Sequence, residues 1–133
     1  EMLQRIARHQ SDRAARVPRM QTLEEPRDVA TALAQHSAPD TLIVVDCLTL
    51  WLMNLIDGDF VAERQALLDA LPGLPGEVLF VANEIGLGIV PLGEETRRFR
   101  DEAGRLNQDL ASACERATFV AAGLPLPLKK ENQ

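Results

Sequence analysis

TLIVVD (residues 41–46) and EVLFVAN (residues 77–83) are the stretches whose reading decides the fold. Each is a short run of Leu, Ile, Val or Phe that ends on a polar side chain, Asp46 in the first and Asn83 in the second. Continuous β-branched runs of this length suit strands buried on both faces, as in parallel sheets. Residues 48–56 and 61–71 between them carry helical patterning, and Pro72, Gly73, Pro75 and Gly76 break the chain before the second run.

Upstream, Met2, Leu3 and Ile6 interleaved with Arg and Gln predict an amphipathic helix over about residues 1–15, ending before Pro18. A short extended piece follows at 19–24, then a helix over 28–35 with Val29, Ala32 and Leu33 on one face, and a turn at 36–40. Downstream, 94–116 reads as a long helix whose core face is Phe99, Ala103, Leu106, Leu110 and Ala113. Gly104 inside it costs stability relative to Ala and is read as the close approach of another backbone. ATFVAAG at 117–123 is a third strand, and GLPLPLKK closes the domain. Strands alternating with helices predict a single α/β domain over residues 1–133, with a mostly parallel sheet covered by helices on both faces.

Composition is that of an ordinary globular chain: 133 residues, 46% hydrophobic and 26% charged. The apolar run at 41–53 is interrupted by Asp46 and falls short of the roughly 20 residues a spanning helix needs, so no membrane span is expected. A net charge of −6 argues against non-specific binding to nucleic acid or an anionic membrane. Arginines nevertheless gather locally, at 5, 8, 13, 16 and 19 and again at 97, 98, 100 and 105, which leaves anion binding open. Cys47 and Cys114 have no CxxC partner or nearby His, so they read as small hydrophobes in a reducing, cytoplasmic setting.

In parallel α/β sheets ligands bind outside the carboxyl ends of the strands, which is where Asp46, Asn83 and Glu84 fall. LIVVD has the form of a Walker B strand, whose Asp holds Mg²⁺, although ordinary parallel strands share the pattern. Gly86 and Gly88 suit either a phosphate cradle or a tight, shaped loop; Pro91 stands where a dinucleotide fingerprint would open a helix, which favours the loop. Arg5, His9 and Arg13, four residues apart, share one helix face. Such a row is either a solvated surface or a site where guanidiniums hold phosphates and the imidazole attacks one. His36, in a turn without such company, reads as surface.

These pieces occur together. EMLQRIARHQSDR, TLEEP, LIVVDCLTLWLMNL, VANEIGLGIVP, FRDEAGRLNQDLA and VAAGLPLPLK resemble the bifunctional adenosylcobinamide kinase/adenosylcobinamide-phosphate guanylyltransferase family of cobalamin biosynthesis, over nearly the whole chain. The resemblance implies a RecA-like P-loop NTPase fold, a homotrimer, Mg²⁺, and adenosylcobinamide and GTP (or ATP) as substrates. It implies GMP transfer through a guanylyl-histidine at His9. By the same match Gln10, Ser11, Asp12 and Arg13 contact nucleotide, Glu24 contacts GTP, and Asp46 contacts GTP or the metal. The family's P-loop, of the type GGARSGKS, and its first two strands are expected to precede Glu1, so kinase activity is not expected from residues 1–133 alone. The segment AARVPRMQ is longer than usual and has Met20 where the family commonly has Trp. The alternative reading is an inactive binding or assembly module of the same fold.

Overall fold

The computed structural model describes residues 1–86 and 93–130. A first helix, α1 (Met2–Arg16), is followed by irregular chain and α2 (Val29–His36). Strand β1 (Leu42–Asp46) then leads into α3 (Leu48–Leu55), α4 (Phe60–Ala70), a 3₁₀ turn at Leu71–Gly73 and strand β2 (Glu77–Val81). The long α5 (Glu94–Ala113) precedes β3 (Ala117–Ala121) and β4 (Leu124–Lys129). No strand forms at 19–24.

β1 and β2 pair in parallel, Leu42 opposite Glu77 through Asp46 opposite Val81. Period-2 alternation sends Ile43, Val45, Val78 and Phe80 onto the core, packed against the buried Val29, Leu33, Leu48, Trp51, Leu52, Leu55, Phe60, Leu67, Ala103, Leu106 and Leu110. Four helices therefore cover one face of the pair. The other face is open: Leu42, Val44, Leu79 and Val81 are exposed. The expectation of strands buried on both faces is corrected here, because among the described residues no element lies over the outer side chains.

α3 shows why the core sits where it does. Leu48, Trp51, Leu52 and Leu55 recur at helical spacing and are all buried, so a single apolar stripe meets the sheet. α5 does the same with Ala103, Leu106 and Leu110, and Phe99 is partly buried beside them, whereas Ala113 is exposed. Arg64 ties the two outer helices together, reaching Glu102 at 3.6 Å and Asp109 at 3.9 Å, with its guanidinium 5.3 Å from the Phe60 ring centre. The close backbone approach expected at Gly104 is absent among the described residues, since none of them lies within 4 Å of where a Cβ would stand. It occurs at Gly76 instead: a Cβ there would sit 2.1 Å from the Ala38 carbonyl oxygen and 2.7 Å from that of Thr41.

The third expected strand departs from the parallel plan. β3 pairs antiparallel with β4, in a sheet separate from β1–β2, through a two-residue turn at Ala122 (φ 54°) and Gly123 (φ 74°). Positive φ at both positions is what a twisted hairpin requires. Pro125 and Pro127 lie opposite Val120 and Thr118, and residues two apart in a strand aim their N–H groups to one side. The prolines thus cost the β3–β4 ladder nothing, which is how β4 can be a strand rather than a tail. Lys129 fastens the hairpin to α5, its Nζ donating to the carbonyls of Ala111 (3.0 Å), Ser112 (3.1 Å) and Cys114 (2.6 Å), which the helix end leaves unpaired. Burial pushes the Cys114 thiol above its ordinary pKa, a rise that the Lys129 ammonium opposes and Glu115 adds to. Cys114 is therefore protonated at neutral pH, in keeping with a packing role.

Residues 25–28 are bound to α3 by a further set of hydrogen bonds. The Glu25 carboxylate accepts the backbone N–H groups of Arg27 and Asp28, both at 3.1 Å, and Asp28 caps α2 by accepting from the Thr31 N–H. The Trp51 indole donates to the Arg27 carbonyl at 2.7 Å, and the Asn54 amide to the Pro26 carbonyl at 3.0 Å. The Arg27 guanidinium answers by donating to the Asn54 carbonyl at 2.8 Å.

Two outcomes follow from this packing. Leu52, with no exposed surface, should lose about 2–5 kcal/mol on truncation to Ala, whereas Leu42→Thr on the open face should stay within about 1 kcal/mol, both read by denaturant melts. Trp51→Phe keeps a ring but leaves the Arg27 carbonyl unpartnered. It should cost about 1–3 kcal/mol and speed hydrogen exchange at the Arg27 and Asp28 amides more than in β2.

Candidate functional site

Parallel pairing sets the geometry at the carboxyl end of the sheet. Because Asp46 lies opposite Val81, Asn83 and Glu84 follow two and three residues beyond the paired position, at the same end as the Asp46 carboxylate. Asp46 is exposed, the Asp46–Cys47 peptide is cis, and α3 begins immediately afterwards. The Thr49 hydroxyl in the first turn of α3 accepts the Asn83 N–H at 3.0 Å, fastening the loop that leaves β2 to the helix that leaves β1.

The loop itself closes on Glu84. Its Oε1 accepts the Gly86 N–H at 2.7 Å, and a Cβ at Gly86 would come within 2.9 Å of that oxygen. The Gly86 amide is therefore engaged by a carboxylate of its own loop, as a tight, shaped turn requires. Gly88 and Pro91, the rest of that reading, lie outside the described residues.

α1 is one continuous helix, so Arg5, His9 and Arg13 do form a row along a single face. Gln10, Ser11 and Asp12 continue the same turn. The helix buries none of its residues: His9, Gln10, Ser11 and Asp12 are exposed and Arg13 is half-buried. Among the described residues none of these side chains makes a hydrogen bond or ion pair, so all are available to a ligand. Glu24 is exposed in irregular chain directly before the anchored 25–28 segment. The structure thus brings Asp46, Asn83 and Glu84 to one sheet end and fixes the neighbour of Glu24. It does not join the His9 row to Asp46 by any bonded contact.

Sequence reading missed Glu25, Arg27, Thr49, Trp51 and Asn54 as the groups that hold these loops. One signal was available: the sole Trp sits on an apolar helix stripe, and a buried indole N–H needs an acceptor from elsewhere in the chain.

Among the described residues no three His, Cys, Asp or Glu side chains gather into a cage for a metal ion. Mg²⁺ rarely needs one, since it retains waters and takes one or two carboxylates together with substrate phosphates. An exposed Asp46 at a strand end fits that partial role.

Comparison with known proteins bears on the whole chain. The family model described as cobinamide kinase / cobinamide phosphate guanyltransferase matches residues 1–128. The bifunctional adenosylcobalamin biosynthesis protein CobP of Pseudomonas aeruginosa is 51% identical over 135 residues, covering 98% of this chain and 76% of the relative. The bifunctional adenosylcobalamin biosynthesis protein CobU of Salmonella typhimurium is 34% identical over 146 residues, covering 97% and 79%. With an α/β arrangement around parallel strands and a match over all but the last few residues, this chain belongs to the cobinamide kinase / cobinamide phosphate guanyltransferase family.

Proposed function

We propose that this protein transfers GMP from GTP to adenosylcobinamide phosphate through a covalent guanylyl-histidine at His9, beside the family's phosphorylation of adenosylcobinamide. The observation that carries the reading is the Arg5, His9 and Arg13 row on the surface of a helix, where these side chains have no partners among the described residues. Guanidiniums spaced one helical turn on either side of an imidazole can hold a triphosphate while a ring nitrogen meets the α-phosphorus.

In the first half-reaction a P–N bond forms between His9 and the α-phosphorus, and the P–O bond to pyrophosphate breaks. In the second, a phosphate oxygen of the cobinamide acceptor attacks the same phosphorus and the P–N bond breaks, which restores His9. Arg5 and Arg13 offset the charge that builds on the phosphoryl oxygens. Gln10, Ser11 and Asp12 supply hydrogen bonds to the nucleotide, and Glu24, just ahead of the clamp on α3, accepts from its hydroxyl or base N–H groups. Asp46 would hold Mg²⁺, whose contribution is to neutralise the phosphates.

A homotrimer in the cytoplasm completes the proposal. Met2, Leu3 and Ile6 on α1 and Leu42 and Val44 on β1 are exposed apolar groups of the kind an assembly covers.

GTP radiolabelled at the α-phosphate should leave an acid-labile, base-stable label on the protein that His9→Ala abolishes. Undiminished label in that variant overturns the assignment. Asp46→Asn should lower transfer about tenfold or more with the melting curve unchanged, since it keeps the shape and removes the charge; a wild-type rate with unchanged metal dependence would make Asp46 structural.

A further inference from the structure

An open groove of about 630 Å³ runs along α5 and is closed at one side by Glu84 and Gly86, on the loop leaving the carboxyl end of β2. Gly104 is one of its lining residues. A glycine inside a helix costs about 1 kcal/mol relative to Ala, and here no neighbouring group within 4 Å requires one. Gly104 lines the groove with open space where a Cβ would stand, so a side chain there would take up room in the groove.

Among the described residues the lining is polar and carries no excess of positive charge. Arg100, Arg105, Glu84 and Asp101 line it, and the Arg105 guanidinium is already paired with Glu102. A polyphosphate needs a net positive lining, which this is not. Asn107 and Gln108 add two carboxamides, each both donor and acceptor, and neither has a hydrogen-bond partner among the described residues. An uncluttered backbone at Gly104, no excess of positive charge and free amides match the corrin ring, a cationic macrocycle rimmed with carboxamides, because amide groups pair with one another in both directions.

We infer that this groove seats the amide-bearing edge of the corrinoid acceptor, with Gly104 providing clearance and Asn107 and Gln108 pairing with its peripheral carboxamides. The inference rests on the proposed function for the identity of the acceptor. Glu84, at the sheet end that carries Asp46, lines the groove, so a ring seated there can extend its side chain toward that end.

Gly104→Leu tests the assignment, since it fills the groove with a better helix former. The protein should melt no lower than wild type, keep its GTP-dependent label on His9, and bind adenosylcobinamide at least about tenfold more weakly by equilibrium dialysis. Asn107→Ala combined with Gln108→Ala should weaken corrinoid binding similarly without altering the label. Wild-type corrinoid affinity in both variants overturns the inference. Loss of corrinoid binding in both, in a protein that never labels at His9, would leave the groove assignment standing and remove the guanylyl-histidine step instead.

Discussion

The structure depends on the burial of the α3 stripe against the inner face of β1 and β2. Leu52 and Leu55 have almost no surface left, and they are surrounded by residues from α2, α4, α5 and both strands. Because only Cys47 separates the end of β1 from the start of α3, seating this stripe also fixes the direction in which the chain leaves the sheet at Asp46. Thr49 and Trp51 lie on the same two turns. The helix that closes the core therefore also holds the loop after β2 and the segment after Glu24. Packing and site geometry share one element, so the polar ends of the strands are positioned by apolar contacts that never meet a ligand.

The helices and the parallel pair were legible in the sequence because periodicity reports directly on burial. What periodicity cannot report is whether a strand is covered on one face or two. LIVVD and EVLFV are apolar at every position except their ends, so an open outer face leaves no mark on them. β4 was misread for the opposite reason. Pro125 and Pro127 look like breakers, yet two prolines spaced by the strand period remove donors from one side only. Gly104 and Gly76 exchanged roles: both are glycines in ordered chain, and only three-dimensional placement tells which one has a backbone against it.

The candidate site was legible in part. The His9 row needed only helical spacing, and the meeting of Asp46 with Asn83 and Glu84 needed only parallel register. The Glu25–Arg27–Trp51–Asn54 set was not legible, because its hydrogen bonds join residues some two dozen positions apart through main-chain carbonyls that carry no sequence signature. Family membership and geometry also speak to different things. Membership identifies the chemistry, and geometry identifies which loops are held by hydrogen bonds to the core helices. Glu24 stands beside a braced segment, whereas His9 rides on a helix with no bracing from the rest of the described chain.

The proline spacing in β4 gives sheet growth in this molecule a direction. A strand added beyond β4 would need N–H donors at 125 and 127, and the pyrrolidine rings have none to offer. The outer edge of β4 is therefore a terminator, while β3, with no proline, is not. The edges of β1 and β2 carry no such block among the described residues. Whatever joins this protein by strand pairing, whether another copy or an aggregating neighbour, is channelled away from β4 and toward the outer edge of β3 or the parallel pair that bears Asp46.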